Sequence, residues 1–230
     1  WLSPFEPREV NNNYTEGNSW QYTFFVLQDV VGLMKAMGGS KSFENKLDEL
    51  FTTNSQTTGR EQADITGLIG QYAHGNEPSH AMAYLYDFCG AAQKTQQRIH
   101  QICTDFYKPT PDGLIGNEDC GQMSAWYVFS ALGFYPVCPG SDHYAIGSPV
   151  LDKATIHFEN GKSFTISASN NQIENVYINS AKMNGATYTK SYVKYDDLMN
   201  GGELNFEMSA QPNKNWGTGD NDVPVTKIEN

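Results

Sequence analysis

The hydrophobic pattern of this chain changes period once, near Pro149, and that change bounds what it can fold into. Before it, Trp20, Phe24, Leu27, Val31 and Met34 recur every three or four residues, the spacing of one helix face, and Gly38-Gly39 stops the run. Ser42 reads as the N-cap of a second helix with Phe43, Leu47, Leu50 and Phe51 on its inner face. A long third helix is expected from Pro78, a favoured first-turn residue, through Leu85, Phe88, Ile99, Ile102 and Phe106. A fourth is expected over about 120–132, ended by Gly133. After Pro149 apolar residues alternate, and "ATIHFEN" meets "GKSFTISASN" at Asn160-Gly161, a strong hairpin signal. Further strands are expected around 176–178, 192–195 and 204–208. Helices followed by a block of strands indicate a segregated α + β chain: a helical part over 1–148 and an antiparallel β-rich unit over 149–230.

Composition narrows the partners. The net charge of -11 lacks the basic patch that nucleic acid or an anionic membrane needs, and suits a neutral substrate and a cation. No apolar run approaches the roughly eighteen residues of a membrane-spanning helix. Aromatic residues make up 13%, which fits a carbohydrate-handling surface and an ordinary aromatic core equally. The chain opens on Trp1 with no signal peptide, which suggests a processed form or a fragment. Cys89 and Cys103 fall on one expected helix, about 21 Å apart at helical rise. That is too far for a bridge, and without a CxxC pair all four cysteines read as free thiols.

Three loops concentrate the polar chemistry: "YTEGNSWQY" at 14–22, "GQYAHGNEPSH" at 70–80 and "PDGLIGNEDCG" at 111–121. Each precedes an expected helix, so alternating helices would gather them at one end of the helical layer. Asp119 with Gln122 fits an N-cap with a capping-box partner. A helix N-terminus also favours an ionised carboxylate, so the same residue could serve as a general base on water. Glu118 looks the less constrained neighbour. Glu16 lies between Tyr14 and Trp20, and a carboxyl desolvated by rings stays protonated, as a general acid must. A first-turn Glu favoured by the helix dipole is the plainer alternative. His74, Asn76, Glu77 and His80 match no HExxH or zinc-finger spacing. Oxygen donors from Asn76, Glu77, Asn117 and Asp119 would suit Ca²⁺, although a polar loop satisfying its own backbone explains them too. An acid near 16 and a base near 119 fit inverting glycoside hydrolysis, whose two carboxyls stand roughly 6.5–9.5 Å apart.

The stretches "YTEGNSWQYTFFVLQDVVGLMKAMGG", "DITGLIGQYAHGNEPSHAMAYLYDF" and "PDGLIGNEDCGQMSAWYVFSALGFYPVCPGSDHYAIGSP" together resemble glycoside hydrolase family 92. The resemblance continues through "NGKSFTISASNN", "YINSAKMNG" and "GGELNFEMS". It implies an inverting, calcium-dependent exo-α-mannosidase acting on mannose-containing glycans, α-1,2 linkages among them. It implies an (α/α)6-type barrel, of which this chain holds the last helices, preceded in the full protein by a β-sandwich. By the same resemblance Glu16 is the general acid and Asp119 the general base. Trp20 and Gln21 border the terminal mannose, and His74, Asn76, Glu77, His80 and Asn117 contact substrate. Asn76, Glu77 and Asp119 are the expected calcium ligands. Family members often carry an acidic residue where this chain has Asn117, and Gln28, Ala81 and Gln93 also depart from the common pattern. Export to the periplasm or the exterior is implied by bacterial members. The alternative is a non-catalytic fragment or sugar-binding module, inactive without the remaining chain.

Overall fold

The computed structural model describes residues 3–227; Trp1, on which the expectation of a processed chain rests, lies outside them. After a short strand β1 (Glu9–Val10), Asn18 caps α1 (Ser19–Thr23) by accepting from the Trp20 N–H, while the Gln21 side chain accepts from the Asn18 N–H. The expected first helix then breaks. A 3-10 turn spans Leu27–Asp29, and the Asp29 carboxylate caps a separate α2 (Val30–Ala36) through the Gly32 N–H at 2.9 Å. Asp competes for backbone donors this way, which favours a new helix start over a helix interior. Helix α3 (Ser40–Thr52) buries Phe43, Leu47, Leu50 and Phe51 as expected, but begins at Gly39, so Ser42 lies inside its first turn rather than capping it. Strand β2 (Thr58–Gly59) pairs parallel with β1, and β3 (Leu68–Ile69) pairs with β4 (Tyr72–Ala73).

The expected long third helix is also in pieces. Pro78 opens only a 3-10 turn (Glu77–Ser79), and a second (Met82–Tyr84) leads into α4 (Leu85–Phe88). Gly90, at φ 75°, separates α4 from α5 (Ala92–Phe106), because its left-handed backbone cannot continue a helix. Cys89 and Cys103 therefore belong to different elements, and all four cysteines are free. Helix α6 (Gln122–Leu132) ends where expected, on Gly133 in the left-handed region.

The remaining elements are β5 (Phe134–Tyr135), β6 (His143–Ile146), β7 (Lys153–His157), β8 (Ser163–Ser169), β9 (Tyr177–Met183), β10 (Ala186–Thr187), β11 (Tyr192–Lys194), α7 (Tyr195–Met199) and β12 (Gly202–Ser209). The hairpin at Asn160-Gly161 joins β7 to β8, and Phe164, Ile166 and Ala168 alternate into the core. The five-stranded sheet runs β10-β9-β12-β8-β7, with β12 antiparallel to β9 but parallel to β8. The expected antiparallel unit is thus a mixed sheet. Strands β8 and β9 point in opposite directions, so any strand inserted between them must run parallel to one. A three-stranded sheet, β11-β6-β5, pairs strands across residue 148. Two cores follow this layout. One gathers Phe43, Tyr72, Tyr84 and Trp126; the other joins Phe164, Leu204 and Phe206 to Ala92, Phe134 and Ile146 from before residue 148.

Asp87 in α4 is fully buried, and neither carboxyl oxygen has a hydrogen-bond partner; the Thr95 hydroxyl faces it without a well-formed bond. Burial pushes this carboxyl well above the usual range. A folded-state value above the unfolded one means stability that is complete below the ordinary carboxylate range and is lost as pH rises towards the folded value. Asp87→Asn should therefore be near neutral in acid and stabilising at higher pH. Thermal unfolding of both proteins from about pH 4 to about pH 9 checks this; parallel curves would mean that Asp87 is already compensated.

Candidate active site

The three polar loops converge. The buried Asn76 side chain donates to the Glu16 carbonyl at 3.0 Å, and its oxygen accepts from the Glu77 N–H at 3.2 Å. The loop at 111–121 lies backbone to backbone on the same segment: a Cβ added at Gly116 would sit 2.8 Å from Gly75 Cα. This contact needs glycine, and Gly116 also holds φ 76°. Glu77 stands beside Asp119, with Glu16 close enough to act on it. Burial pushes the Glu77 carboxyl up, and hydrogen bonding to Asp119 with repulsion from Asp119 and Glu16 pushes it further. Glu77 is half-buried, whereas Glu16 and Asp119 are exposed. The flanking rings therefore leave Glu16 in solvent, contrary to the expected desolvation.

Glu16 and Asp119 share an uncommon backbone. Each has φ 53°, in the left-handed region that side-chain-bearing residues rarely occupy. At Asp119 this reverses two expectations. Asp119, Cys120 and Gly121 run left-handed in succession, and the α6 cap position is Gly121, with no capping side chain. Glu118 ties the turn down instead, accepting from the Gly121 N–H at 2.5 Å and from the Ser124 hydroxyl at 2.7 Å. These bonds hold its carboxyl below the ordinary range. The expected capping box of Asp119 and Gln122 does not form: the Gln122 N–H donates to the Asp119 carbonyl at 3.3 Å, and the Gln122 side-chain amide donates to His80 Nδ1 at 3.0 Å. Glu118 is the carboxylate tied to the turn, whereas Asp119 faces Glu77.

The two histidines lie beneath the loop. His74 is fully buried between two phenols, with Tyr72 Oη 2.7 Å from Nδ1 and Tyr107 Oη 2.7 Å from Nε2. The Tyr107 hydroxyl also reaches the Met123 carbonyl at 3.3 Å, so one phenol links His74 to the first turn of α6. Burial, then the neighbouring His80, holds His74 well below its ordinary value. His80 donates from Nε2 to the His74 carbonyl at 2.9 Å, and burial lowers it to about 4. Both rings are neutral at pH 7 and engaged at both nitrogens. Gln21 is similarly occupied, its amide donating to the Gln71 carbonyl at 2.6 Å. Trp20 is buried with Lys46 Nζ 4.4 Å over its ring, and its indole N–H has no partner. Asn117 is exposed and donates to Asp64 at 3.2 Å.

Residues 1–210 match the glycosyl hydrolase family 92 catalytic domain. The chain belongs to glycosyl hydrolase family 92. A family GH92 alpha-mannosidase from Bacteroides thetaiotaomicron has a similar structure, at TM-score 0.90 and 44% identity over 98% of this chain and 29% of that one. A family GH92 inverting mannosidase from the same organism gives 0.86 and 40% over 99% and 32%. An uncharacterized secreted glycosidase of Arthroderma benhamiae is 32% identical over 91% of this chain and 25% of its own length. The family 92 chain thus spans under a third of these relatives, and its helical region followed by a sheet-rich region is theirs.

Among the described residues of this family 92 chain, no group of three or more His, Cys, Asp or Glu is disposed to hold a metal ion. The fit to calcium is nevertheless chemically sound at one place. Glu77 and Asp119 bring two carboxyls together, and a hard cation relieves such a like-charged pair. They would supply part of the six to eight oxygens such an ion takes. Both ends of the Asn76 amide are already bonded to the loops. Sequence reasoning missed Asn18, Gln71, Tyr107 and Trp126, which position the loops, and read Gln122 only as a capping partner. The indole N–H of Trp126, for example, donates to the His80 carbonyl at 2.9 Å. Apart from the local capping box of Asn18 with Gln21, no motif signals these roles, since each is a tertiary contact between distant segments.

Proposed function

We propose that this chain is the part of an inverting, calcium-dependent exo-α-mannosidase that carries both working carboxyls, and that it releases terminal α-linked mannose from glycans. The observation that carries the reading is the convergence of Glu16, Glu77 and Asp119 on a family 92 frame. Asp119 takes a proton from the water that attacks the anomeric carbon. Glu16 gives its proton to the departing glycosidic oxygen on the opposite face, so the product has the inverted configuration. Trp20, Gln21 and Asn117 would border the sugar, while His74 and His80 support the loop that presents Asn76 and Glu77. Glu77 and Asp119 would hold calcium, with Asn76 at the margin of that site. When bound, the ion would grip sugar hydroxyls and neutralise the paired carboxyls. The helical part, to about residue 148, would be a share of an (α/α)6-type barrel. The sheet unit from 149 would pack on it through β6, β11 and the shared core. An N-terminal β-sandwich and the remaining helices would complete the protein. Export to the periplasm or exterior accords with a secreted relative.

The test is proton NMR of mannobiose hydrolysis by a protein long enough to span its relatives, with and without EDTA. β-Mannose should appear first, chelator should stop turnover and added Ca²⁺ should restore it. Initial α-mannose would exclude single displacement, and chelator-insensitive turnover would remove the metal. A second reading, a sugar-binding piece without activity of its own, is favoured by the exposure of Glu16 and Asp119 in the chain alone. It predicts turnover by the longer protein and none by these 230 residues.

A further inference from the structure

Glu77 and Asp119 come from different loops, so the space between them depends on what ties those loops together. Their own contact cannot set it. Two ionised carboxyls repel, and the hydrogen bond between them is given up once both lose their protons or a cation enters. A neutral tie outside the pair is needed, and Gln122 has the reach for one.

Gln122 opens α6, and its backbone N–H donates to the Asp119 carbonyl at 3.3 Å. Its side-chain amide donates to His80 Nδ1 at 3.0 Å. The direction of the second bond is fixed. His80 Nε2 lies 2.9 Å from the His74 carbonyl, which can only accept, so in the neutral ring Nδ1 is the acceptor. His80 closes the loop that presents Asn76 and Glu77, and through Asn76 that loop holds the Glu16 carbonyl. One residue therefore spans from the turn carrying Asp119 to the loop carrying Glu77. Its side chain is itself confined, because it also bonds the Tyr135 phenol, which stacks on Tyr84 with ring centres 5.2 Å apart. Trp126 and Tyr107 tie α6 to the same loop through the His80 carbonyl and the His74 ring. They hold the loop on the helix, whereas Gln122 holds it against Asp119.

We propose that Gln122 is a positioning residue for this site: it sets the gap between Glu77 and Asp119, and with it the placement of cation and base. This rests on the mannosidase reading above and adds the part that keeps its carboxyls in register. A shift of about 1 Å in a reacting group costs roughly 10²-fold in rate, and loss of a partner behind a metal ligand about 10–100-fold in affinity.

The experiment uses the longer protein with three substitutions that leave Trp126 and Tyr107 in place. Gln122→Met keeps the length and loses the donor. Gln122→Glu keeps the shape but turns an acceptor towards the His80 lone pair. Gln122→Asn keeps the donor on a shorter stem. Ca²⁺ binding by calorimetry and kcat on mannobiose are read beside thermal unfolding. Gln122→Met and Gln122→Glu should each weaken Ca²⁺ binding about 10–100-fold and lower kcat by a similar factor, while unfolding at nearly the unaltered temperature. Gln122→Asn should retain more of both than Gln122→Met. Unchanged affinity and kcat in Gln122→Met would overturn the proposal. So would equal losses in all three that follow a fall in unfolding temperature, which would mark Gln122 as a support of the fold. If the unaltered protein binds Ca²⁺ but cleaves no mannoside, the mannosidase reading falls and the affinities decide for Gln122. If it cleaves mannobiose without binding Ca²⁺, kcat decides; if it does neither, both readings fall.

Discussion

Glu16→Gln and Asp119→Asn, each made in the longer protein, are expected to lower kcat on mannobiose by about 10²–10⁴-fold, the range for removing a general acid or base. The two losses should differ in kind. A fluoride leaving group needs little protonation, so Glu16→Gln should recover much of its rate on α-mannosyl fluoride. Asp119→Asn should recover none, because every substrate needs activated water. Both substitutions preserve size, and Asn tolerates the left-handed backbone that Asp119 occupies at φ 53°. Loss of rate therefore reports proton chemistry rather than a collapsed loop. Wild-type rates in either variant would remove that residue from the mechanism. The structure likewise directs the experiment away from Glu118, which the sequence reading treats as the less constrained neighbour of Asp119. Its carboxylate is tied to Gly121 and Ser124, and its variants would act through geometry.

Trp126→Ala is the expected structural counterpart. The indole is fully buried, lies 4.4 Å from the His74 ring and 5.8 Å from the Tyr107 ring, and bonds the His80 carbonyl at 2.9 Å. Truncating a buried Trp costs about 3–5 kcal/mol. Leaving the His80 carbonyl unpaired adds roughly 1–3 kcal/mol where water does not reach it. Together these approach the whole stability of an ordinary domain, about 5–15 kcal/mol. Denaturant unfolding should show a midpoint near or below the onset of measurable folding for Trp126→Ala. Trp126→Phe keeps a ring and loses only the N–H, and should retain a cooperative transition. A loss below about 1 kcal/mol for the alanine variant would show that the 74–80 loop is held by other contacts. Since that loop carries Asn76 and Glu77, stability and activity are linked through one indole.

The change of period near Pro149 was a sound guide because burial enforces it: Phe43, Leu47, Leu50 and Phe51 face one core, and Phe164, Ile166 and Ala168 the other. The breaks inside the helical half were less legible. Leu27 and Val31 keep helical spacing across a capping Asp29, and Leu85 to Ile99 keep it across Gly90, so periodicity persists where the backbone does not. The candidate site divides the same way. The convergence of the three loops follows from where the motifs stand along the chain. The exchange of roles between Glu118 and Asp119 does not, because it is set by three successive left-handed residues rather than by side-chain type. His74 and His80 read as loop residues in sequence. Their burial depends on Tyr72, Tyr107, Gln122 and Trp126, none of which is adjacent to both.

The place of β12 bears on how the chain is made. It is the last strand of its sheet in sequence, yet it lies between β8 and β9 and pairs with both. During synthesis β8 can pair with β7 and β9 with β10, but each keeps its other edge open until residues 202–209 arrive. Such edges invite pairing between chains. The mixed sheet thus places its greatest risk of misassembly in the interval before β12 leaves the ribosome. A chain stopped short of residue 202 would keep two unpaired edges where the complete one has a filled centre.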